Sequence, residues 1–566
     1  MTGDRDPRPA DLVVENARVW TAEPSAPWAE AFAVRDGRLL AVGSAAEARA
    51  CAGDGTEIHD AGGAFVMPGL VDVHNHHAFA GRTDLFELTL PAGASVPEIL
   101  DAVAAHAAGL PEDAWVVGGA WGSNRRTEIS SESVRLKLDQ AAGGRPVLLM
   151  EDSRHNRWAS TRALELAGIT ADSDPGPGGV IELDPVSGAP TGVLLESAGL
   201  AAEAAQARSN PLGPAEHRRA SRRGIEILSS YGVTAFQDAA ASHEIVAALR
   251  SLDEAGELDA WVVSSLTVND PIFGFDAVGD ALVWGGEPYR TRHHRPDFVK
   301  IFLDGVPPAR TGAFLEPYLP DGEHGADHCG ATALDADELY GWLRRTSEHG
   351  LSAKIHCSGD ASVRLVLDTV ERLRGEGFTS PRFQIAHGQF VDPDDLARFA
   401  KLGVSADISP FLWFPGVIPD AISTVLPADR AGRMQPNRAL LDTGALVAGG
   451  SDWPVSESPN AWEGIQGLVT RSDPYGRFPG TLWPEQALSL DEAMAAFTVA
   501  GAEAMGIGDE TGSLRAGKSA DFVLLDQDPF AVGVEDVVRT TVVETWFAGR
   551  QVFDRGTLPV DPLHLT

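Results

Sequence analysis

Eight short apolar runs that alternate with helical stretches constrain the fold of this chain most strongly. They lie at 70–73, 233–236, 260–266, 298–303, 353–356, 383–387, 404–408 and 446–448. Strands that alternate with helices are joined by right-handed crossovers into a parallel sheet, and eight such units are the number that closes a (β/α)8 TIM barrel. We therefore predict an α/β fold built on this barrel, with an open doubly wound sheet as the alternative.

The remaining segments predict an insertion and a second domain. The interval of about 81–223 is too long for one crossover, so we interpret it as a large insertion after the first strand. Further short strands are predicted at 12–14, 31–34, 39–42, 521–525, 542–547 and 551–553. Asp36-Gly37 predicts a hairpin turn, because both residues tolerate positive φ. We predict that 1–66 and 510–566 form a small composite β-sandwich domain and that 67–509 form the barrel.

Composition argues against some classes of partner. The chain has 566 residues and a formal net charge of -36, which disfavours nucleic acid and anionic membrane surfaces as partners. Its three cysteines are too few and too widely spaced for a disulfide framework or a zinc finger. Neither a signal peptide nor an apolar run of about 18 residues is evident. These features predict a cytoplasmic protein.

The polar residues at the strand ends suggest a metal site. The first apolar run continues into His74-Asn75-His76, and side chains at i and i+2 of a strand point the same way, so both imidazoles can share one metal ion. Lys300 lies inside an apolar strand, where an unpaired ammonium is costly. His356, His387 and Asp452 end later strands. Each alone could be a core histidine or a loop cap, but active sites of such barrels lie at these strand ends.

The chain resembles the amidohydrolase superfamily of metal-dependent hydrolases. The residues that carry this resemblance are His74 and His76 on the first strand, Lys300 on the fourth, His356 on the fifth, His387 on the sixth and Asp452 on the eighth. The stretch 512–521 resembles that superfamily's re-entry into its sheet domain. The long insertion and the stretches 232–238 and 300–305 look most like the branch that includes the N-substituted formamide deformylases.

This resemblance implies a ligand set and a reaction. It implies one or two zinc ions bound by His74, His76, His356, His387 and Asp452, with Lys300 carboxylated and bridging two ions. Zinc lowers the pKa of a bound water to about 7, which suits hydrolysis of an amide or another non-peptide C–N bond. Asp452 would act as general base and then general acid. His155 resembles a substrate-facing catalytic residue, with a surface-loop histidine as the alternative.

Other functions remain compatible with the sequence. Lactone or phosphoester hydrolysis would use the same site, and a non-catalytic metal-binding protein would share the fold. Six loop aromatics are candidates for an apolar substrate pocket, with the protein core as the alternative: Trp121, Trp158, Phe411, Trp413, Phe414 and Trp453. The expected partner is a small-molecule amide, with an N-substituted formamide as a candidate, and a homodimer is one candidate assembly.

Overall fold

The computed structural model of the protein describes residues 8–90, 93–151, 156–176, 179–209, 211–269, 278–321 and 324–557, except for the side chains of 123, 196 and 197. The chain divides into two compact units. The first comprises Met1–His77, Ile225–Asp270 and Ala277–Val560, and the second is mainly Ala78–Gly224.

The helices and strands follow one another in three stretches. The first contains β1 (Leu12–Glu15), β2 (Arg18–Trp20), β3 (Trp28–Ala29), β4 (Ala31–Arg35), β5 (Arg38–Gly43), α1 (Ala45–Arg49), β6 (Glu57–Asp60), β7 (Phe65–Pro68) and β8 (Leu70–Asn75). The second contains α2 (His77–Phe86), β9 (Leu88–Thr89), α3 (Val96–Ala108), β10 (Val116–Trp121), α4 (Arg126–Ile129), α5 (Glu132–Ala141), β11 (Val147–Glu151), β12 (Asn156–Ala159), α6 (Thr161–Ala167), β13 (Val180–Leu183), β14 (Pro190–Leu195), α7 (Leu200–Ser209) and α8 (Pro214–Ser230).

The third stretch completes the fold. It contains β15 (Val233–Ala241), α9 (His243–Glu254), β16 (Trp261–Thr267), α10 (Asp280–Val283), β17 (His294–Phe302), α11 (Ala336–Glu348), β18 (Ser352–Cys357), α12 (Asp360–Gly375), β19 (Phe383–His387), α13 (Leu396–Leu402), β20 (Val404–Ile408), α14 (Val417–Ser423), α15 (Ala428–Ala431), α16 (Asn437–Asp442), β21 (Val447–Gly449), α17 (Ala461–Thr470), α18 (Leu490–Ala496), α19 (Val499–Ala504), β22 (Phe522–Leu525), β23 (Val542–Phe547) and β24 (Arg550–Asp554). Short 3-10 helices lie at Ser123–Arg125, Glu196–Gly199, Glu287–Tyr289, Pro307–Ala309, Pro410–Leu412, Pro484–Gln486, Val534–Arg539 and Arg555–Thr557. Within the described part of the chain, no helix has the length and apolar character needed to span a bilayer.

The central sheet of the first unit is a nearly closed parallel barrel. Its eight strands lie in the order β21-β20-β19-β18-β17-β16-β15-β8, which follows the chain without a reversal. A parallel bridge between Asn75 and Trp453 joins the first strand to the residues just beyond the last. An open doubly wound sheet requires a point where the strand order reverses. The (β/α)8 barrel is therefore confirmed, and the alternative is wrong.

The two chain ends contribute to a pair of further sheets in the same unit. One has the order β5-β4-β1-β6, and the other, β24-β23-β22-β7-β2-β3, combines strands from both ends. Between them Phe32 packs edge-on against Phe522, with ring centroids 4.9 Å apart. Asp36 and Gly37 turn the β4–β5 hairpin at φ 51° and 74°, as the Asp-Gly pair predicts. The boundaries given above for the sandwich, the barrel and the insertion stay predictions.

The second unit has its own sheet and core. The strand order is β13-β14-β12-β11-β10-β9. Trp121 and Trp158 are fully buried in this core beside Ile99 and Leu138. For these two tryptophans the core interpretation is correct, because their side chains have no solvent-facing surface from which to line a pocket.

Candidate metal centre

Three of the expected ligands meet where the barrel strands end. One side-chain ligand atom each from His74, His387 and Asp452 lies within 4.8 Å of the other two. All three residues are buried. His74 Nε2 lies 3.5 Å from Asp452 Oδ1. The residues come from β8, the end of β19 and the loop after β21, so the barrel closure is what brings them together.

The other two expected ligands flank this group. His76 Nε2 lies 3.3 Å from the same Oδ1 atom of Asp452. The ring of His356 lies 4.8 Å from the ring of His387, measured between centroids. The structure thus brings all five expected ligands into one continuous cluster. Their role as metal ligands stays a prediction at this point.

Carboxylates orient two of the imidazoles. His74 Nδ1 lies 2.8 Å from Asp407 Oδ2, and His356 Nδ1 lies 3.2 Å from Asp304 Oδ1. An ionised carboxylate can only accept a hydrogen bond, so each Nδ1 carries the proton and each Nε2 presents its lone pair. Asp304 is itself fixed by three backbone amides and by the Ser362 hydroxyl. This is the arrangement that raises ligand basicity at metal-binding histidines.

The loop after β21 is bonded to the first strand of the barrel. Asp72 accepts hydrogen bonds from the amide of Ser451 at 2.9 Å, from its hydroxyl at 2.6 Å and from the amide of His74 at 3.0 Å. The amide of Asp452 donates to the carbonyl of His74 at 2.7 Å. Asp452 and His387 both adopt left-handed backbone conformations, with φ of 56° and 67°. Such conformations are uncommon for side chains other than glycine and concentrate at functional sites.

Gly450→Ala is expected to disturb this junction. A Cβ at Gly450 would lie 2.5 Å from the Cβ and 2.8 Å from the amide nitrogen of His74, so the strand or the loop must shift. We expect the affinity of the predicted site for a divalent metal ion to fall by about tenfold or more, the range found when support for a ligand is lost. Chelator competition measures this effect. Gly341→Ala is the control, since its Cβ would meet open space, and equal affinities for both variants would contradict the assigned role of Gly450.

Burial sets the charge states of the cluster. It lowers the pKa of His74 and His387 well below the usual range, and the nearby Lys300 lowers both further. Burial opposes ionisation of Asp452, but the adjacent His74 and His76 outweigh it and lower the pKa of this carboxyl. Neutral imidazoles and an ionised carboxylate are the forms that bind metal. The donor set therefore fits a divalent metal ion.

Two fully buried lysines lie side by side on neighbouring barrel strands. Lys300 on β17 pairs in register with Lys354 on β18. Lys354 forms an ion pair with Asp407. Among the described residues Lys300 has no hydrogen-bond or ion-pair partner, and its Nζ lies 4.7 Å from the centre of the Phe302 ring. Burial, assisted by Lys354, lowers the pKa of Lys300 to about 7.

Some sequence expectations fall elsewhere. His155 lies outside the described residues, so its role stays a prediction. Trp413 is fully buried beneath the Arg471 guanidinium, 4.0 Å from the ring centre, so it belongs to the core. Sequence reasoning missed Asp407 and the partner role of Lys354. Their signal was available, because each is a charged residue inside an apolar strand, as Lys300 is.

A (β/α)8 barrel with buried imidazoles and carboxylates at its strand ends is the architecture of a metal-dependent hydrolase. The chain belongs to the amidohydrolase family, which matches residues 57–553. It is accordingly an enzyme of the class that acts on carbon–nitrogen bonds other than peptide bonds, and the non-catalytic alternative is set aside.

Comparisons with known proteins extend over nearly the whole chain. The N-substituted formamide deformylase of Arthrobacter pascens is 28% identical over 560 residues, covering 96% of this chain and 98% of that protein. Protein LONG AFTER FAR-RED 3 of Arabidopsis thaliana is 28% identical over 553 residues, covering 96% and 92%. The crystal structure of an uncharacterized metal-dependent hydrolase from Pyrococcus horikoshii superposes with a TM-score of 0.73 at 22% identity, covering 92% of this chain and 99% of that one. The last comparison shows a shared fold.

Proposed function

We propose that this enzyme hydrolyses an uncharged small-molecule amide with an apolar N-substituent, of the N-substituted formamide class, to a carboxylic acid and an amine. The observation that carries the proposal is the buried cluster of His74, His387 and Asp452, whose ligand atoms lie within 4.8 Å of one another. The similarity to a formamide deformylase across almost the full length of both chains supports the substrate class.

The metal would be zinc, as one or two ions. His74, His76, His356, His387 and Asp452 would hold it, because they supply imidazole and carboxylate donors in one buried cluster. Bound zinc lowers the pKa of a water molecule to about 7 and polarises a carbonyl. The fixed Nδ1–H bonds of His74 and His356 keep their Nε2 atoms turned toward this cluster.

Asp452 would move the proton during the reaction. The pKa of its carboxyl is lowered, with a hydrogen bond from His76 among the causes, and the carboxylate lies at the centre of the cluster. It takes a proton from the attacking water as the water oxygen bonds to the amide carbon. It then returns this proton to the nitrogen as the C–N bond breaks, which yields the acid and the neutral amine.

Apolar side chains near the ligands support an apolar substituent. Phe302 ends strand β17, and its ring centre lies 6.0 Å from that of His356. Val306 and Val455 are 40% and 49% exposed and lie in the loops that follow β17 and β21, at the end of the barrel where the expected ligands lie. These residues would contact the N-substituent beside the reacting carbonyl.

Lys300 is proposed to be carboxylated and to bridge two metal ions. Its amine would attack carbon dioxide, form an N–C bond and release a proton to solvent, giving a carbamate anion. This change would replace a buried cation that lacks a partner among the described residues with an anionic ligand. The neighbouring Lys354 is held by Asp407 instead.

With ¹³C-bicarbonate and zinc, the wild-type protein should show a carbamate carbon signal by NMR that is absent from Lys300→Met. The exposed Lys401→Met is the control and should keep the signal. A zinc-loaded wild type without a carbamate signal, or a Lys300→Met variant that retains it, would contradict the proposal.

A substrate panel tests the function itself. N-alkyl and N-aryl formamides, cyclic amides, lactones and phosphoesters would be offered to the zinc-loaded enzyme, with amine, acid and phosphate release measured. We expect the formamides to have the highest kcat/KM, by about tenfold or more. Preference for a lactone or a phosphoester would contradict the proposal and favour those alternatives. The cytoplasmic location and the homodimer stay predictions.

A further inference from the structure

We propose that the buried pair Lys354–Asp407 is a positioning device for His74, in which Asp407 fixes the orientation and tautomer of the imidazole and Lys354 holds the carboxylate in place. The inference concerns residues that are not themselves expected ligands. It rests on the proposed metal centre, since the orientation of His74 matters only if His74 binds the ion.

One oxygen atom carries both contacts of the pair. Asp407 Oδ2 lies 2.8 Å from His74 Nδ1, and the same atom accepts from the ammonium of Lys354. The other oxygen, Oδ1, is buried and has no hydrogen-bond partner among the described residues. All three residues are at most 1% exposed. Oδ2 of Asp407 therefore binds both the Lys354 ammonium and the His74 imidazole, so the lysine fixes the same oxygen that orients the histidine.

The position of the pair in the barrel argues against a purely structural role. Lys354 lies on β18, Asp407 on β20 and His74 on β8, and no two of these strands are neighbours in the sheet. Ion pairs buried in a core often contribute less stability than apolar side chains of the same volume, because both charges lose their hydration. Stability alone therefore does not explain why Lys354 and Asp407 form a buried ion pair inside the barrel. The orientation of His74 explains it.

The consequence for His74 is specific. With Nδ1–H committed to Asp407, the lone pair of Nε2 faces Asp452 Oδ1 at 3.5 Å, and the ring lies 4.8 Å from that of His387. A rotated or re-tautomerised imidazole would present an N–H to the cluster instead of a lone pair. His356 has a carboxylate partner as well, Asp304, but the neighbours of Asp304 are amides and a hydroxyl.

A double-mutant cycle on zinc affinity tests the inference. The proteins are the full-length wild type, Asp407→Asn, Lys354→Met and the double variant, each titrated with zinc against a chromogenic chelator at one pH. We expect Asp407→Asn to bind zinc about 10- to 100-fold more weakly, as for other partners of metal-binding histidines, and Lys354→Met to bind about fivefold or more weakly. The double variant should match Asp407→Asn within about threefold, because both changes act through one carboxylate.

Two further measurements separate positioning from folding. The absorption spectrum of the cobalt-substituted protein reports the geometry of the ligands and should change in Asp407→Asn, whereas general destabilisation would leave it unaltered in folded protein. Lys354→Arg keeps the cation and should bind zinc within about threefold of wild type. Exposed Lys401, paired with Glu371, provides the matched control through Lys401→Met. If Asp407→Asn fails to fold, the comparison of Lys354→Met with Lys354→Arg decides alone.

Each outcome has a distinct meaning. Single variants that bind zinc as tightly as a zinc-binding wild type would overturn this inference and leave the proposed function standing. Losses that multiply in the double variant would overturn it as well, since the two residues would then act independently. A wild type that binds no zinc would overturn both the inference and the proposed function.

Discussion

Asp452→Asn is expected to lower kcat by about 10²- to 10⁴-fold, the contribution typical of general acid–base catalysis. The carboxylate lies 3.5 Å from His74 Nε2 and 3.3 Å from His76 Nε2, and the proposed mechanism requires it to exchange a proton with water and with the leaving nitrogen. Substrate binding should change little, because proton transfer is needed only in the transition state. Steady-state kinetics with a confirmed substrate, with zinc content determined on the same sample, measures both effects.

The Asn substitution is a fair test of this role. Asp452 has φ 56°, and asparagine tolerates this left-handed conformation as well as aspartate does. The backbone amide of residue 452 donates a hydrogen bond to the His74 carbonyl, and the substitution does not remove this donor. Asp442→Asn, on the exposed end of α16, is the control. A metal-replete Asp452→Asn enzyme that works at close to the wild-type rate would show that Asp452 is not the base.

Arg471→Met is expected to destabilise the protein by about 2 kcal/mol or more, because the carbonyls of Met434 and Leu482 would lose their donors, whereas the carbonyl of Gln435 keeps the Asn437 amide. The fully buried guanidinium donates to the carbonyls of Met434, Gln435 and Leu482 and covers the ring of Trp413. The Gln435 side chain in turn donates to the carbonyl of His387 at 2.7 Å. Urea unfolding measures the stability, and zinc affinity reports the effect on His387.

Arg344→Met is the matched control for this change. Arg344 lies on α11, is about half exposed, and forms an ion pair with Glu348 four residues later. Such pairs contribute about 0.5 kcal/mol or less. If Arg471→Met were no less stable than Arg344→Met, the network of Arg471 would not hold the loops near His387 in place.

The strands that follow the apolar pattern could be predicted closely from the sequence. β19 and β20 begin and end where their apolar runs do, because glycine and proline flank the runs. β15 extends five residues beyond the predicted end, through Gln237 and Asp238. Polar residues look like a strand end in a sequence, but here Gln237 bonds to Ser265 and Asp238 to His77 inside the barrel.

The candidate site could be predicted only in part, for a related reason. The i, i+2 spacing places His74 and His76 together, and the strand ends single out the other expected ligands. Asp407 lies 333 residues from His74 in the chain, and no spacing rule connects them. Asp407 can be identified as a partner of His74 only from the folded barrel, in which β8 and β20 both point side chains into the same interior.

The zinc content of the purified protein tests the central claim most directly. After reconstitution and removal of free metal, elemental analysis should find between about one and two zinc ions per wild-type chain. His387→Ala, which removes one member of the buried group with His74 and Asp452, should lose at least one of them. Negligible zinc in the folded wild type, or equal zinc in a folded His387→Ala variant, would contradict a metal centre built from these residues.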